Sequence, residues 1–157
     1  FHKIQLLGDK VVQVLSQIVQ PPSSLQQWRI TTDDTGDPIT VGTDLATHYG
    51  VDILDGTFIH LYDASVEITD APAGADMILD WEVSRDLGVT WDSIFPPADL
   101  DKLVIPDGEF RGFTTVFVVS PLLLIRGDII RYNVIQVGST TPGSILSAAL
   151  SGVIVRS

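Results

Sequence analysis

The sequence predicts an all-β domain, an antiparallel β-sandwich, and three observations carry that expectation. Between Asp128 and Ile135, Ile130, Tyr132 and Val134 alternate with Arg131, Asn133 and Ile135. Successive strand residues point to opposite faces, so this period of two marks a half-buried strand. Leu79, Trp81 and Val83 alternate with Asp80, Glu82 and Ser84 in the same way, the cleanest such run in the chain. Such runs are short and are separated by Gly/Pro turns at 70–74, 106–109 and 138–143, the rhythm of antiparallel sandwiches and barrels.

The bulk composition limits what such a domain does. The 157 residues suit one domain with a sizeable core, and a hydrophobic content of 45% argues against disorder. No window reaches the ~18 uninterrupted apolar residues of a membrane-spanning helix; the densest run, Val116 to Ile125, is broken by Ser120-Pro121. A net charge of −11, with nine scattered Lys and Arg, repels phosphate backbones and anionic lipid. Neither nucleic acid nor membrane is therefore an expected partner. Cysteine is absent, which excludes thiolate metal sites, disulfides and thiol nucleophiles. The residues after Phe1 lack the charged and apolar regions of a signal peptide.

Taken in order, the chain opens on Ile4, Leu7, Val11, Val14 and Ile18, a 3-4-3-4 spacing that is the a/d rhythm of a coiled coil over about two heptads. Gly8-Asp9 and the β-branched valines weaken a helix there, so an extended arm or hairpin competes with it. The segment is too short to fold alone. It either anchors or trimerises the protein or covers this domain's own sandwich. Gln20-Pro21-Pro22-Ser23-Ser24 is a stiff linker, so residues 1–24 form an arm and 25–157 the domain. Trp28-Arg29-Ile30 starts a strand, and an acidic turn follows at 33–38. That turn lacks the EF-hand spacing with its distal Glu, and solvated carboxylates explain it better than calcium.

Thr57 to Thr69 is one long strand, or two, with a change of face near Asp63-Ala64. After the turn at 70–74 and the strand through Trp81 comes Ser84-Arg85-Asp86-Leu87-Gly88-Val89-Thr90-Trp91. It resembles the Asp-box, S-x-D-x-G-x-T-W, known from sialidases and other β proteins. The resemblance implies a hairpin in which Ser84, Asp86, Gly88 and Trp91 are structural, Asp86 accepting turn N–H groups and Gly88 taking a left-handed conformation. One copy in so short a chain does not make a sialidase. Lys102 to Ile105 is a short strand, Pro106 to Glu109 a hairpin-type turn, and Thr114 to Val119 a further strand. Leu122 to Ile125 is apolar and stops at Arg126-Gly127-Asp128, an ordinary turn sequence. The strand after it, the turn at 138–143 and a return through Leu146, Ala148 and Leu150 read as a hairpin closing the sandwich.

The search for reaction chemistry finds no candidate. His2, His48 and His60 show no HxH or HExxH spacing, His48-Tyr49-Gly50 sits in a loop, and His60 lies mid-strand. GxSxG, GxGxxG and the phosphate-binding GxxxxGK[ST] are all missing. The expectation is a non-enzyme with no cofactor and no metal. Trp28, Tyr49 and Trp91 are candidates for stacking on sugar faces, with core packing the competing role of such large aromatics.

Two stretches resemble a pattern recurrent in tailed-bacteriophage virion proteins. Gly127-Asp128-Ile129-Ile130 through Gln136-Val137-Gly138-Ser139-Thr140-Thr141-Pro142-Gly143 is similar to that family's strand G-D-x-L-x-V-x-I-x-Q-V-G-S and its P-G turn. Ala71-Pro72-Ala73-Gly74-Ala75-Asp76-Met77-Ile78-Leu79-Asp80 is similar to its A-P-x-G-A-D-L-x-x-D segment, and Leu103 to Gly108 corresponds to its I-x-x-G region. The resemblance spans roughly residues 57–155. Asn133 and Ile135 stand where the family usually has acidic residues. The resemblance implies a jelly-roll-like sandwich in a virion, on a capsid, collar, baseplate or fibre. It further implies a homo-oligomer, a trimer foremost, bound to other capsid or tail proteins; residues 1–56 do not match the family, and an anchoring arm carrying Ile4, Leu7, Val11, Val14 and Ile18 is consistent with it. A carbohydrate- or receptor-binding module is the alternative, with a glycan as partner.

Overall fold

The computed structural model describes residues 26–33, 40–42 and 48–156, without the side chains of Asp33, Ile145 and Leu146. The arm, its linker and the acidic turn beyond Asp33 lie outside these residues. The described strands are β1 (Gln27–Asp33), β2 (Tyr49–Gly50), β3 (Thr57–Asp70), β4 (Met77–Ser84), β5 (Asp92–Ser93), β6 (Leu103–Ile105), β7 (Arg111–Thr114), β8 (Leu122–Ile125), β9 (Ile129–Gln136) and β10 (Ser144–Arg156), with a 3₁₀ turn at Asp99–Asp101.

Their pairings nest. β1 pairs with β10, β2 with β9, β3 with β7 and β8, and β4 with β5 and β6, all antiparallel. The chain is one two-stranded ribbon doubled back on itself, with its tip at the turn between β4 and β5. Two further pairings, β10 with β3 and β9 with β4, roll the ribbon up. Two five-stranded sheets result: β1-β10-β3-β7 with β8 also on β3, and β2-β9-β4-β5 with β6 also on β4. This is the jelly-roll form of a double sheet, and the antiparallel sandwich expected from the sequence is the fold observed.

The period-two residues fill the space between the sheets. Leu79, Trp81 and Val83 of β4 and Ile130, Tyr132 and Val134 of β9 meet Ile59, Leu61, Ala64, Val66 and Ile68 of β3 and Ala148 and Leu150 of β10, all buried. Trp81 and Tyr132 sit opposite each other with ring centroids 5.5 Å apart. β3 is one strand that changes face as expected. Ile59 and Leu61 point inward, then Ala64 and Val66, because the register with β10 slips where Ser151 faces Asp63 and Gly152 faces Leu61. The extra residue is Tyr62, a bulge that reverses the inward parity; its hydroxyl donates to Gln27 Oε1 at 3.0 Å.

Several expectations need correction. β9 and β10 do not form a hairpin: they lie in different sheets. Each buries its apolar face in the interior from its own side, so the 137–143 turn must arch across the ~10 Å between sheets rather than reverse within one. The 106–109 turn, closed by a hydrogen bond from Glu109 N–H to Pro106 O, likewise joins β6 of one sheet to β7 of the other. Tyr49-Gly50 is a short strand on β9 rather than a loop. Of the strand expected over 114–119 only Thr114 is in a strand. The segment leaves β3 at the bulge and crosses to the second sheet, where Val118 N–H donates to Ile94 O at 2.8 Å and Phe117 stacks on Phe95 at 6.0 Å. On that side the sheets nearly touch. A Cβ on Gly112 of β7 would lie 2.3 Å from the carbonyl oxygen of Val104 in β6, so only glycine lets the backbones approach this closely.

Candidate functional site

The tip of the ribbon is the Asp-box, and its residues do what the motif implies. The Asp86 carboxylate accepts the N–H groups of Val89 (3.1 Å) and Thr90 (2.8 Å), the Thr90 hydroxyl (2.6 Å) and the Ser84 hydroxyl (2.8 Å). Ser84 Oγ in turn accepts Gly88 N–H at 2.7 Å. Bonds from the Thr90 hydroxyl and N–H, then from Ser84 and Val89, favour the anion and hold the Asp86 carboxyl down at about 2. Leu87 and Gly88 both take left-handed backbone angles, φ 61° and 89°. The sequence identified the glycine and missed the leucine. Trp91 Nε1 donates to Gly88 O at 3.2 Å, which folds the indole back under the turn.

Trp91 lies at the rim of a polar layer on the outer face of the second sheet. The Arg131 guanidinium sits 4.0 Å from its ring centroid, and His48 lies 5.0 Å away, tilted by 47°. Arg131 also donates to Glu82 Oε2 at 2.7 Å, across the β4–β9 pair that sets the two side chains opposite each other. One strand turn further along, Asp80 is buried. Lys102 Nζ donates to Asp80 Oδ2 at 2.9 Å, both side chains only 7% exposed, and Ser93 donates to the other carboxylate oxygen. The alternation in β4 places Asp80 outward with the polar residues, and the sequence gives Lys102 only as the start of a strand. The sequence gives no signal for the pair, because the register of β4 with β5 and β6 is what brings Asp80, Ser93 and Lys102 together. Each charge in this layer meets an opposite charge, so the layer is built to hold segments on the sheet.

The three aromatics considered for sugar stacking do not converge. Trp28 and Tyr49 pack against the interior from different sheets, and Trp91 has the Arg131 guanidinium over its ring. Asp128 of the Arg-Gly-Asp turn is buried, its carboxylate accepting Ile125 N–H at 3.0 Å. On the outer face of the first sheet a shallow groove of about 260 Å³ runs over Ser65, Ser147 and Ala149 between Arg29 and Arg111, with Arg111 paired to Glu67 at 3.2 Å. Among the described residues no group of three His, Asp or Glu is placed to hold a metal ion.

At one end of the sandwich three turns interlock: 71–76, 106–108 and 136–143. Ala73 N–H donates to Thr141 O at 2.9 Å and Thr140 N–H to Ala73 O at 2.8 Å. Gln136 Nε2 donates to Asp76 O at 2.8 Å, and Gly108 N–H to Pro72 O at 2.9 Å. The Asp76 and Asp107 carboxylates accept the N–H groups of Asp107 and Gly74 at 2.9 and 3.0 Å. The packing is tight enough that a Cβ on Gly138 would lie 2.0 Å from Thr141 O and 2.6 Å from Ala73 N.

The chain matches no family model and no curated protein. Among solved structures it is similar to the NLP-core of Drosophila, whose crystal structure was described for pentamer formation and histone binding. The two share 10% identity with a TM-score of 0.43, over 83% of this chain and 98% of that one. A likeness at that level carries no argument about assembly or partner here.

Proposed function

We propose that this chain is a non-enzymatic structural component of a tailed-bacteriophage virion, decorating the capsid or forming a tail or fibre appendage. The observation that carries the reading is the interlocked end of the sandwich. The segments that resemble the virion family, 71–80, 103–108 and 127–143, are far apart in sequence, yet their turns bond to one another there. Three separate resemblances that together form one structural unit support a shared fold more strongly than three isolated matches.

In this reading the domain from residue 25 onward faces outward and the arm, residues 1–24, attaches it to other virion proteins through Ile4, Leu7, Val11, Val14 and Ile18, as a homo-oligomer with a trimer favoured. Deleting residues 1–24 tests it. The shortened chain is expected to keep the far-ultraviolet spectrum of a β-sandwich and to lose binding to particles that lack the protein, whereas the full chain rebinds them. Equal rebinding by both chains would overturn the role of the arm, and no rebinding by either would overturn the virion role.

A further inference from the structure

One edge of the molecule differs from the rest of its surface. β7 and β8 both pair with the side of β3 opposite β10, and the 115–121 connection between them crosses to the second sheet at Ile94, so Phe110 to Ile125 runs without a break along one side of the sandwich. Phe110, Phe113, Val116, Val118, Val119 and Ile125 along it are 48–76% exposed. The sixteen residues carry a single charge, Arg111, so they contribute +1 to a chain of net −11 and leave −12 on the remainder. Phe117, in the middle, faces inward on Phe95 and fixes the backbone that displays the valines.

We infer that this edge is where two copies of the chain meet. Charge selects the occupant. Copies that each carry so many uncompensated carboxylates repel one another over most of their surface. Acidic residues are missing from this border as they are from 129–156, but β9 and β10 there are flanked by strands on both sides, whereas this border is a sheet edge. Area agrees. With on the order of 200 Å² for each fully exposed aromatic and somewhat less for valine and isoleucine, the six residues offer roughly 600 Å². That is the upper end of what a monomer normally leaves uncovered. Two such faces together give ~1,200 Å², the lower bound of a specific interface. The contact needs no virus particle and stands apart from the virion reading.

Light-scattering mass and sedimentation of the full chain at tens of micromolar test it. The expected result is an oligomer for the native sequence and a lower mass for Phe113→Glu combined with Val116→Glu, falling to the 17.0 kDa of one chain unless the arm itself joins copies. Val41→Glu, exposed as well but beside Gly42, which bridges to Val134 of β9 in the second sheet, is expected to leave the oligomer intact. Added salt is expected to strengthen association, since it screens the repulsion between acidic copies. Hydrogen exchange on the native chain gives a readout that needs no variant: amides 110–119 should gain protection as concentration rises from sub-micromolar. A native chain that is a monomer throughout, a double variant that keeps the oligomer, or exchange at 110–119 that ignores concentration would each overturn the inference.

Discussion

Asp86 and Lys102 show how differently two charged side chains serve one fold. Asp86 is solvent-exposed and acts through local geometry, gathering four donors from its own turn. Its folded carboxyl, at about 2, lies below the usual aspartate value of 3.8, so the deprotonated form is the one the turn holds. Its stabilising contribution is complete above the unfolded value and is lost as pH falls from about 4 towards 2. Titration of the Asp86 carboxyl by NMR should place its midpoint near 2, and a midpoint at the usual aspartate value would mean that the turn does not hold the anion. Lys102 acts through burial. Replacing it with Met leaves Asp80 as an uncompensated buried charge, an expected loss of about 3 kcal/mol, while Asp80→Leu with Lys102→Met should recover most of it. Urea denaturation of both variants decides the point: a single variant within ~0.5 kcal/mol of the native chain would contradict the pair's burial.

At the scale of elements, the doubled ribbon sets both the order of assembly and the weak points. The Asp-box joins strands whose partners are a few residues apart, whereas Thr32 and Ala148, bonded across β1 and β10, are separated by 116 residues. Closing the longer loop first costs more chain entropy, so the ribbon should form from its tip and zip towards its ends. Substitutions at Val83 should then slow folding, and Ile30→Val should mainly speed unfolding, readable as high and low φ-values. The interlocked end is the rigid point: Gly138→Ala drives a methyl into two backbone groups and should cost 1–3 kcal/mol, as overpacking does. At this scale the sequence is legible in part. Period two located β4 and β9, and it located the parity change in β3, because inward and outward residues differ in polarity. Which strand pairs with which is not written locally. Gly138 to Gly143 has the same turn composition whether it reverses a hairpin or arches between sheets, and the packing of Ala148 and Leu150 against the opposite layer decides it. The apolar run at 114–119 misled for a related reason, since its valines face solvent and only Phe117 turns inward.

For the whole molecule, the sandwich was legible from alternation and turn spacing, whereas the Asp80–Lys102 pair and the apolar edge were not, because both depend on register between distant strands. The rolled ribbon buries its apolar faces inward and leaves, at Phe110 to Ile125, an outer border with one charge in sixteen residues. A body of this kind suits attachment and assembly, and the residues resembling virion proteins lie in the turns that lock one end of it. Quantitative mass spectrometry of virus particles purified from the source, with this chain as target, tests that claim most directly. The chain is expected in washed particles at a fixed number of copies, on the order of hundreds for a capsid decoration or a handful for a tail or fibre part. Particles that are intact and infectious without it would contradict the account.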